Sequence, residues 1–278
     1  MTTTNLRDRA LKFRSLHTAG RPLVLPNAWD PASARIVEAA GATAVATTSA
    51  GVAWDLGAAD GDHLGRDRAL GAVARIAAAV AVPVTADIES GYAQDLAGVA
   101  DTVRAVLAAG AVGVNIEDAL YDGDAPLRPV AEQAERIAAA RAAADSAGVP
   151  LFVNARIDTY LRGVGARVDR VGLTLERAAA FLAAGADGIF VPGAVDPATV
   201  KVLVEGVVGP LNVMAGPGAP SVAEFAGLGV ARISVGAGIA QAAHAVVRRA
   251  ARELLAEGTY ESLAGGLDYG ELNGLLGS

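Results

Sequence analysis

Acidic side chains end two neighbouring apolar stretches of this sequence, and together they could bind a hard metal cation. Asp87 and Glu89 close one stretch, and Glu117 and Asp118 close the next. Burying charge in an otherwise apolar strand is costly unless a metal or a partner compensates it. Carboxylate oxygens are the ligands that Mg²⁺ prefers, with water completing its shell. Arg156, which lies in the following stretch, could bind an anionic substrate beside the metal.

Each of these acids also has an ordinary structural interpretation. Asp and Glu at strand ends often cap the next helix or pair with an arginine on a neighbouring strand. Ser49 could be a nucleophile, but the segment Thr47–Gly51 is not a nucleophile elbow. The scattered His17, His63 and His244 offer no base for a catalytic triad. These features argue against a serine hydrolase.

Short apolar stretches alternate eight times with longer segments of helical spacing, and this alternation predicts an α/β fold, a (β/α)8 TIM barrel. Strict alternation of strand and helix favours a parallel sheet, and stretches that are apolar on both faces are typical of covered strands. The active site of such barrels lies at the carboxyl ends of the strands, so the acids and Arg156 would meet at one mouth. The predicted strands are Leu23–Asn27, Ala44–Ser49, Val82–Glu89, Val112–Asp118, Leu151–Asp158, Gly188–Pro192, Pro210–Ala215 and Arg232–Val235.

The length of the chain suits one barrel. Its 278 residues are 53% hydrophobic, and we expect a single domain over residues 1–278. An N-terminal helix within residues 1–20 is expected to cover the barrel floor, and residues 258–278 form a tail rich in Gly and Leu without a clear period. Both additions offer surface for subunit contacts.

Composition excludes several classes of function. The sequence contains no cysteine, which removes disulfides, thiolate metal sites and cysteine catalysis. A formal charge of −7, without a local Lys/Arg cluster, argues against nucleic acid as a partner. No run of about eighteen uncharged apolar residues occurs, and the N-terminus has no apolar signal core. We therefore expect no membrane association and a cytoplasmic location.

Five motifs, in order and at matching spacing, resemble the isocitrate lyase/phosphoenolpyruvate mutase superfamily over about residues 5–255. The resemblance implies a Mg²⁺-dependent barrel that binds 2-oxo acids, stabilises an enolate and makes or breaks C–C or C–P bonds. It also implies a homodimer or homotetramer in which the last barrel helix is exchanged between subunits. The motifs are Asn27–Arg35, Thr48–Val52, Ala86–Tyr92, Asn115–Asp118 and Ala155–Asp158.

The resemblance implies a metal site built from carboxylates. Asp87 matches the direct ligand, and Asp60 and Glu117 match acids that hold metal-bound waters. Glu89 is a further candidate ligand in the same motif. The expected ion is Mg²⁺, with Mn²⁺ as the alternative.

The resemblance also implies the substrate-binding residues. Ser49, with the backbone amides of Ala50 and Gly51, matches the pocket for the substrate carboxylate and oxyanion, and Arg156 matches the arginine that pairs with the same substrate. Metal and guanidinium charge placed on a developing enolate would stabilise the transition state. Trp29 is expected either to form a wall of this pocket or to belong to the core.

The loop after the fourth predicted strand departs from the family pattern. Lyases of the family carry Lys-Lys-Cys-Gly or Lys-Arg-Cys-Gly there, with the cysteine as acid, whereas residues 119–129 contain no cysteine. The loop also lacks the Lys-x-Asn-Ser sequence of the members that process phosphonopyruvate. Residues 120–129 could form a lid that places Tyr121 or Arg128 over the site, or an ordinary polar loop.

These observations lead to one main hypothesis and three alternatives. The main hypothesis is a Mg²⁺-dependent enzyme, of lyase or decarboxylase type, that cleaves a C–C bond of a small 2-oxo acid or related dicarboxylate through a metal-stabilised enolate. Water, Tyr92 or Tyr121 would protonate that enolate. The alternatives are a C–P bond hydrolase or mutase of phosphonopyruvate type, a 2-oxo acid binding protein without turnover, and a phosphate-binding barrel using Gly216–Gly218 and Gly236–Gly238.

Overall fold

Parallel strands form the centre of the molecule, and helices surround them. The computed structural model describes residues 3–121 and 124–277, which form nine strands and eleven α-helices. The sheet runs in the order β1-β9-β8-β7-β6-β5-β4-β3-β2, and every pairing in it is parallel. The strands are β1 Leu23–Leu25, β2 Asn27–Ala28, β3 Val45–Thr47, β4 Val84–Asp87, β5 Gly113–Glu117, β6 Phe152–Arg156, β7 Gly188–Val191, β8 Leu211–Met214 and β9 Arg232–Ser234.

Helices α2 to α9 lie between the strands, with α1 before the first strand and α10 and α11 after the last. Several begin at an N-cap side chain that accepts a backbone N–H, as Asp30, Asp196 and Ser221 do. They are α1 Thr3–Ser15, α2 Pro31–Ala39, α3 Ser49–Asp55, α4 Arg66–Ala79, α5 Leu96–Ala108, α6 Val130–Ser146, α7 Arg170–Ala183, α8 Pro197–Gly206, α9 Val222–Gly227, α10 Gly238–Ala256 and α11 Tyr269–Leu276. The predicted (β/α)8 barrel is confirmed.

The barrel closes through a strand that is broken in two. The predicted strand Leu23–Asn27 is divided at Pro26 into β1, which pairs with β9, and β2, which pairs with β3. Proline has no N–H to donate to the ladder, which accounts for the break at that position. The two halves are the ends of the strand order, and because they are consecutive in the chain, they close the sheet into a barrel.

The N-terminal helix covers the amino ends of the strands, and its prediction is confirmed. Leu6, Ala10 and Phe13 form its buried face. The Phe13 ring meets Phe152, at the start of β6, edge to face with centroids 5.7 Å apart. This end of the barrel is thereby closed, and the opposite end carries the site.

The C-terminal segment is more ordered than its sequence indicates. Residues 258–278 were expected to form a tail without a period, but Glu261–Leu263 form a 3₁₀ helix and α11 packs against α2. Arg35 Nε donates to the carbonyl of Leu275 at 2.7 Å. The exchange of α10 between subunits stays a prediction. Among the described residues, no helix is long and apolar enough to cross a membrane.

Candidate active site

A cavity of about 660 Å³ lies at the carboxyl ends of the strands. It draws its lining from both sides of the barrel, with Ser49 and Asp87 on one side and Met214 and Ser234 on the other. Arg156, the last residue of β6, lies between them. The five side chains come from different parts of the sequence, and the parallel register brings them to one mouth.

Asp87 and Ser49 are joined by hydrogen bonds in this cavity. Asp87 Oδ2 accepts from Ser49 Oγ at 3.0 Å and from Ser49 N at 3.4 Å. The Asp87 N–H donates to Thr47 Oγ1 at 2.9 Å, which fixes the end of β4 against β3. The other carboxylate oxygen, Asp87 Oδ1, is buried without a hydrogen-bond partner in the described structure. One carboxylate oxygen therefore remains free to bind a ligand.

Asp60 brings a second carboxylate to the same cavity, at its solvent-exposed mouth. Partial burial is the first cause that raises the pKa of Asp60, and repulsion from Asp87 is the second. Hydrogen bonds from Ser49 and Gly61 oppose the rise. Two carboxylates that repel each other at a partly desolvated site favour a cation between them.

Arg156 is held in place by two buried carboxylates. Its Nε and Nη2 donate to the two oxygens of Asp158 at 2.7 and 2.9 Å, and its Nη1 lies 2.6 Å from Glu117 Oε2. The Glu117 contact is an ion pair that lacks hydrogen-bond geometry. Burial lowers the pKa of Arg156, but Glu117, Asp158 and Asp87 outweigh it and raise that pKa well above its ordinary value. Arg156 is therefore a fixed cation that still faces the cavity.

Glu117 lies behind Arg156 and outside the cavity lining. Its side chain is 1% exposed, and Oε1 accepts a hydrogen bond from the Tyr121 hydroxyl. Burial raises the pKa of Glu117, and the positive charge of Arg156 opposes that rise. Glu117 therefore holds Arg156 in place. The contact of Glu117 with a metal-bound water stays a prediction.

Glu89, the further candidate metal ligand, lies outside the cavity lining. The backbone turns at Glu89, with φ of 49°, and its side chain leaves the cavity. Its Oε2 accepts from the N–H groups of Gly61, at 2.8 Å, and Asp62, while Oε1 accepts from the Tyr92 hydroxyl at 3.0 Å. Burial raises the pKa of Glu89 to about 7, although the bond from the Asp62 N–H lowers it. We therefore assign Glu89 to anchoring the loop that carries Asp60.

Some of the residues expected to bind the substrate line the cavity, and others lie outside it. Ala50 lines the cavity, but Gly51 does not, and the Gly51 N–H donates to the N-cap oxygen Thr48 Oγ1 at 3.4 Å. The oxyanion contact that the family resemblance implies for the Gly51 amide stays a prediction. Trp29 also lies outside the lining and packs on a small apolar cluster that includes Val52. The core alternative for Trp29 fits this placement.

Tyr121 lies in the loop after β5, next to Glu117. The loop is narrowed by an antiparallel bridge between Ala119 and Leu127, and the Arg162 guanidinium lies 4.8 Å from the centre of the Tyr121 ring. Burial and the charge of Glu117 raise the pKa of Tyr121, so its hydroxyl keeps its proton. Tyr121 does not line the main cavity. Residues 122 and 123 of the predicted lid lie outside the described residues.

Arg128, the other residue proposed for the lid, faces away from the cavity. Its side chain is buried and pairs with Glu132 in the first turn of α6. Its backbone N–H donates to the carbonyl of Asp118 at 2.7 Å. Arg128 therefore closes the base of the loop.

Asp158 is a site residue that the sequence interpretation did not assign. It is 1% exposed and supplies the two-pronged contact to Arg156. Arg156 and Asp158 are two residues apart at a strand end, and residues at this spacing project to the same side. That spacing was the available signal.

The sequence profile that describes phosphoenolpyruvate phosphomutase matches residues 13–255. The chain belongs to this family. It is 30% identical over 191 residues to 2-methylisocitrate lyase of Escherichia coli (strain K12), a match that covers 67% of this chain and 62% of the lyase.

Solved structures of the family agree with this assignment. A provisionally assigned lyase/mutase from Burkholderia cenocepacia J2315 has 36% identity and a TM-score of 0.92, over 99% of this chain and 98% of its own. A phosphonopyruvate hydrolase, solved with oxalate and Mg²⁺, has 26% identity and a TM-score of 0.83, over 97% of this chain and 95% of its own.

Membership of the phosphoenolpyruvate phosphomutase family confirms the superfamily expected from the five motifs. The named relatives include a lyase and a hydrolase, so the family is one of enzymes. In this member, the cavity of the barrel mouth contains Ser49, Ala50, Asp60, Asp87 and Arg156 from the predicted set.

Proposed function

We propose that this protein is a Mg²⁺-dependent enzyme that cleaves a C–C bond of a small 2-oxo acid, or of a related dicarboxylate, through an enolate. The observation that carries the proposal is the free, buried Oδ1 of Asp87 in a cavity that also holds Asp60 and Arg156. The similarity to 2-methylisocitrate lyase supports C–C cleavage.

The charges around the cavity favour a bound cation. Asp60, Asp87, Glu117 and Asp158 surround the guanidinium of Arg156, so negative charge is in excess near it. Within the described part of the chain, no group of three or more His, Asp or Glu side chains could hold a metal. Mg²⁺ commonly uses only one or two carboxylates and keeps several waters, so Asp87 and Asp60 fit it, with Mn²⁺ as the alternative. When bound, the ion would act as a Lewis acid on the substrate oxygen.

Arg156 would orient the substrate carboxylate and stabilise the enolate. Glu117 and Asp158 fix the guanidinium before the substrate arrives, so no reorganisation is needed when negative charge develops. The hydroxyl of Ser49, already directed at Asp87, would bind the same end of the substrate.

The proton that the enolate takes up would come from Tyr121 or from water. Tyr92 donates to Glu89, whose carboxylate is turned away from the cavity. Tyr121 donates to Glu117, which forms an ion pair with Arg156, so its hydroxyl is linked to the residue that would hold the substrate. We assign Tyr121 as the proton donor.

We also propose that the enzyme works in the cytoplasm as a homodimer or homotetramer with exchanged α10 helices. Ala240 is the buried residue of that helix, while Val247 and Leu255 are 66% and 87% exposed. Covering these side chains with a second subunit would stabilise the assembly. Light scattering on the purified protein should give a mass at or above that of a dimer, and a monomer would contradict this arrangement.

The proposed reaction is tested by product analysis. The protein would be incubated with Mg²⁺ and each of a panel of 2-oxo acids and 2-hydroxy dicarboxylates, and the products followed by NMR. Cleavage of one compound into two smaller acids, or into an acid and CO₂, is expected. Binding of the panel without any conversion would contradict the enzyme and favour a 2-oxo acid binding protein.

The alternative reaction is C–P cleavage, which the similarity to phosphonopyruvate hydrolase favours. It would release inorganic phosphate from phosphonopyruvate, or rearrange that compound to phosphoenolpyruvate. A phosphate assay and phosphorus NMR on the same samples separate it from C–C cleavage.

A further inference from the structure

The cavity has two chemically different sides. Asp60 and Asp87 lie on the side of β3 and β4, together with Ser49. The side of β7 to β9 is apolar and is formed by Phe190, Met214, Pro217, Val235 and Ile239, with Leu161 from the loop after β6. In the strand order, β8 lies across the barrel from β4. A ligand held at Asp87 would therefore extend toward the apolar side.

Cationic groups are scarce in this cavity. Of the described residues that line it, Arg156 is the single Lys, Arg or His. Its guanidinium lies 6.0 Å from the centre of the Phe190 ring and is already paired with Glu117 and Asp158. It can serve one anionic group of a ligand, and a second anion would find no side-chain cation.

Asn27 and Ser234, two polar residues near the apolar side, are already hydrogen-bonded through their side chains, and Gln241, which also lines the cavity there, is uncharged. Asn27 Nδ2 donates to the carbonyl of Thr47 at 2.9 Å, and Asn27 Oδ1 accepts from the N–H of Val235 at 3.0 Å. Ser234 Oγ accepts from Asn212 Nδ2 at 3.3 Å. A carboxylate or phosphonate placed there would lose its water without gaining a charged partner, which is costly.

We infer that the substrate is a 2-oxo acid with one carboxylate and an uncharged remainder, whose chain beyond C4 is apolar and packs on Leu161, Phe190, Met214 and Ile239. A hydroxyl on C4 makes the cleavage balance: as the C3–C4 bond breaks, the hydroxyl passes its proton to water, one fragment leaves as an aldehyde, and the other leaves as the pyruvate enolate, which then takes up a proton. The inference rests on the proposed function, because Asp87 and Arg156 must hold the 2-oxo acid end. It selects monocarboxylic substrates over dicarboxylates and phosphonopyruvate. Gly238 and Ile239, in the first turn of α10, also line the cavity. The competing outcome is therefore a substrate with a second anionic group, bound by the backbone N–H groups of that turn.

Three 2-oxo acids, two of them with the same number of carbons, test the inference by calorimetry in the presence of Mg²⁺. Pyruvate, 2-oxopentanoate and 2-oxoglutarate share the 2-oxo acid end, and the last two differ in the terminal methyl or carboxylate group. Each buried methylene improves affinity about fourfold, so 2-oxopentanoate should bind roughly fifteenfold more tightly than pyruvate. It should also bind more tightly than 2-oxoglutarate.

Failure of this inference is distinct from failure of the proposed function. Tighter binding of 2-oxoglutarate, with pyruvate still bound, would overturn the inference and place an anion at the start of α10. Equal affinity of pyruvate and 2-oxopentanoate would overturn it as well. No Mg²⁺-dependent binding of pyruvate would overturn the proposed function, and the inference with it.

A positive charge placed on the apolar side should shift the binding preference from 2-oxopentanoate toward 2-oxoglutarate. Leu161 is 48% exposed, so Leu161→Arg should fold, and it would put a cation beside the distal end of the ligand. The ratio of 2-oxoglutarate to 2-oxopentanoate affinity should rise at least about tenfold, the effect of one ion-paired hydrogen bond. Val208→Arg, at a residue that is 91% exposed and does not line the cavity, is the matched control. An unchanged ratio in a folded Leu161→Arg variant would contradict the placement.

Discussion

Glu117 and Arg156 are direct partners in the register of β5 and β6, and their side chains form an ion pair at the mouth of the barrel. Nη1 of Arg156 lies 2.6 Å from Oε2 of Glu117. Asp158 holds the other edge of the guanidinium. The cation that faces the cavity is therefore positioned by the sheet itself, before any ligand binds.

Replacing Arg156 with Lys should weaken 2-oxo acid binding. A point charge cannot reproduce the planar contact with Asp158 or bind a carboxylate with two N–H groups. Loss of a charged hydrogen bond costs about 1.5 to 3 kcal/mol, so calorimetry with pyruvate and Mg²⁺ should show affinity lower by roughly tenfold to hundredfold. Arg104→Lys, which changes a surface pair with Asp101, is the control and should bind normally. Equal affinity in the two variants would remove Arg156 from the site.

Replacing Tyr121 with Phe should slow turnover and leave binding nearly unchanged. The change removes the hydroxyl that donates to Glu117 and keeps the ring beside Arg162. Loss of a positioned proton donor typically lowers the rate by about 10² to 10⁴. Measurements of kcat and KM should therefore show a fall in kcat alone. Tyr260→Phe, in the exposed C-terminal segment, should behave as wild type, and a normal kcat for Tyr121→Phe would assign the proton to water.

His17 should make the fold sensitive to acid. Its Nδ1 bonds to the carbonyl of Phe13, its ring stacks on Phe152, and Nε2 is buried without a partner in the described structure. Burial, followed by repulsion from Arg232, lowers the pKa of His17 from 6.5 to about 3. Below pH 6.5 the unfolded chain therefore takes up a proton that the folded chain does not.

The contribution of His17 to the free energy of unfolding should fall by up to about 1.4 kcal/mol per pH unit as the pH drops from 6.5 toward 3. Urea titrations between pH 7.5 and 5 measure this slope. His17→Phe should reduce it, whereas His63→Gln, at an exposed position, should keep it. Identical slopes in all three proteins would show that His17 is not responsible.

Much of the fold follows from local sequence patterns. The seven later strands lie where runs that are apolar on both faces predict them, and Gly110 and Gly185 end helices with φ of 93° and 107°. The division of the first strand at Pro26 had a visible cause, the missing N–H. The packing of α11 on α2 depends on Arg35 and Leu275, which are far apart in the chain, and no local period signals such a contact.

The sequence predicts those site residues whose side-chain direction is fixed by a strand. Asp87 and Arg156 end strands and face the cavity, as expected. Glu89 follows the end of β4, where a positive φ redirects the chain, so alternation along the strand no longer gives its direction. The Gly51 N–H donates to Thr48, the N-cap of α3, a contact that the spacing of the two residues indicates.

Arg232 shows what sequence patterns do not reveal. It lies in β9, is 1% exposed, and donates from Nη2 to Asn115 Oδ1 at 3.1 Å, while Nε and Nη1 have no partner in the described structure. Burial lowers the pKa of Arg232 to about 9, and Asp87 opposes that change. The neighbours that tolerate this buried cation come from other strands, so only the assembled barrel identifies them.

The most direct test of the metal-binding site is a calorimetric titration of wild type and Asp87→Ala with pyruvate, each with and without Mg²⁺. Wild type should bind pyruvate only with Mg²⁺, and Asp87→Ala should lose that binding by more than about a hundredfold while it unfolds at a similar urea concentration. Asp67→Ala, whose side chain is 92% exposed, is the control and should bind as wild type does. Unchanged Mg²⁺-dependent binding by a folded Asp87→Ala variant would contradict the site.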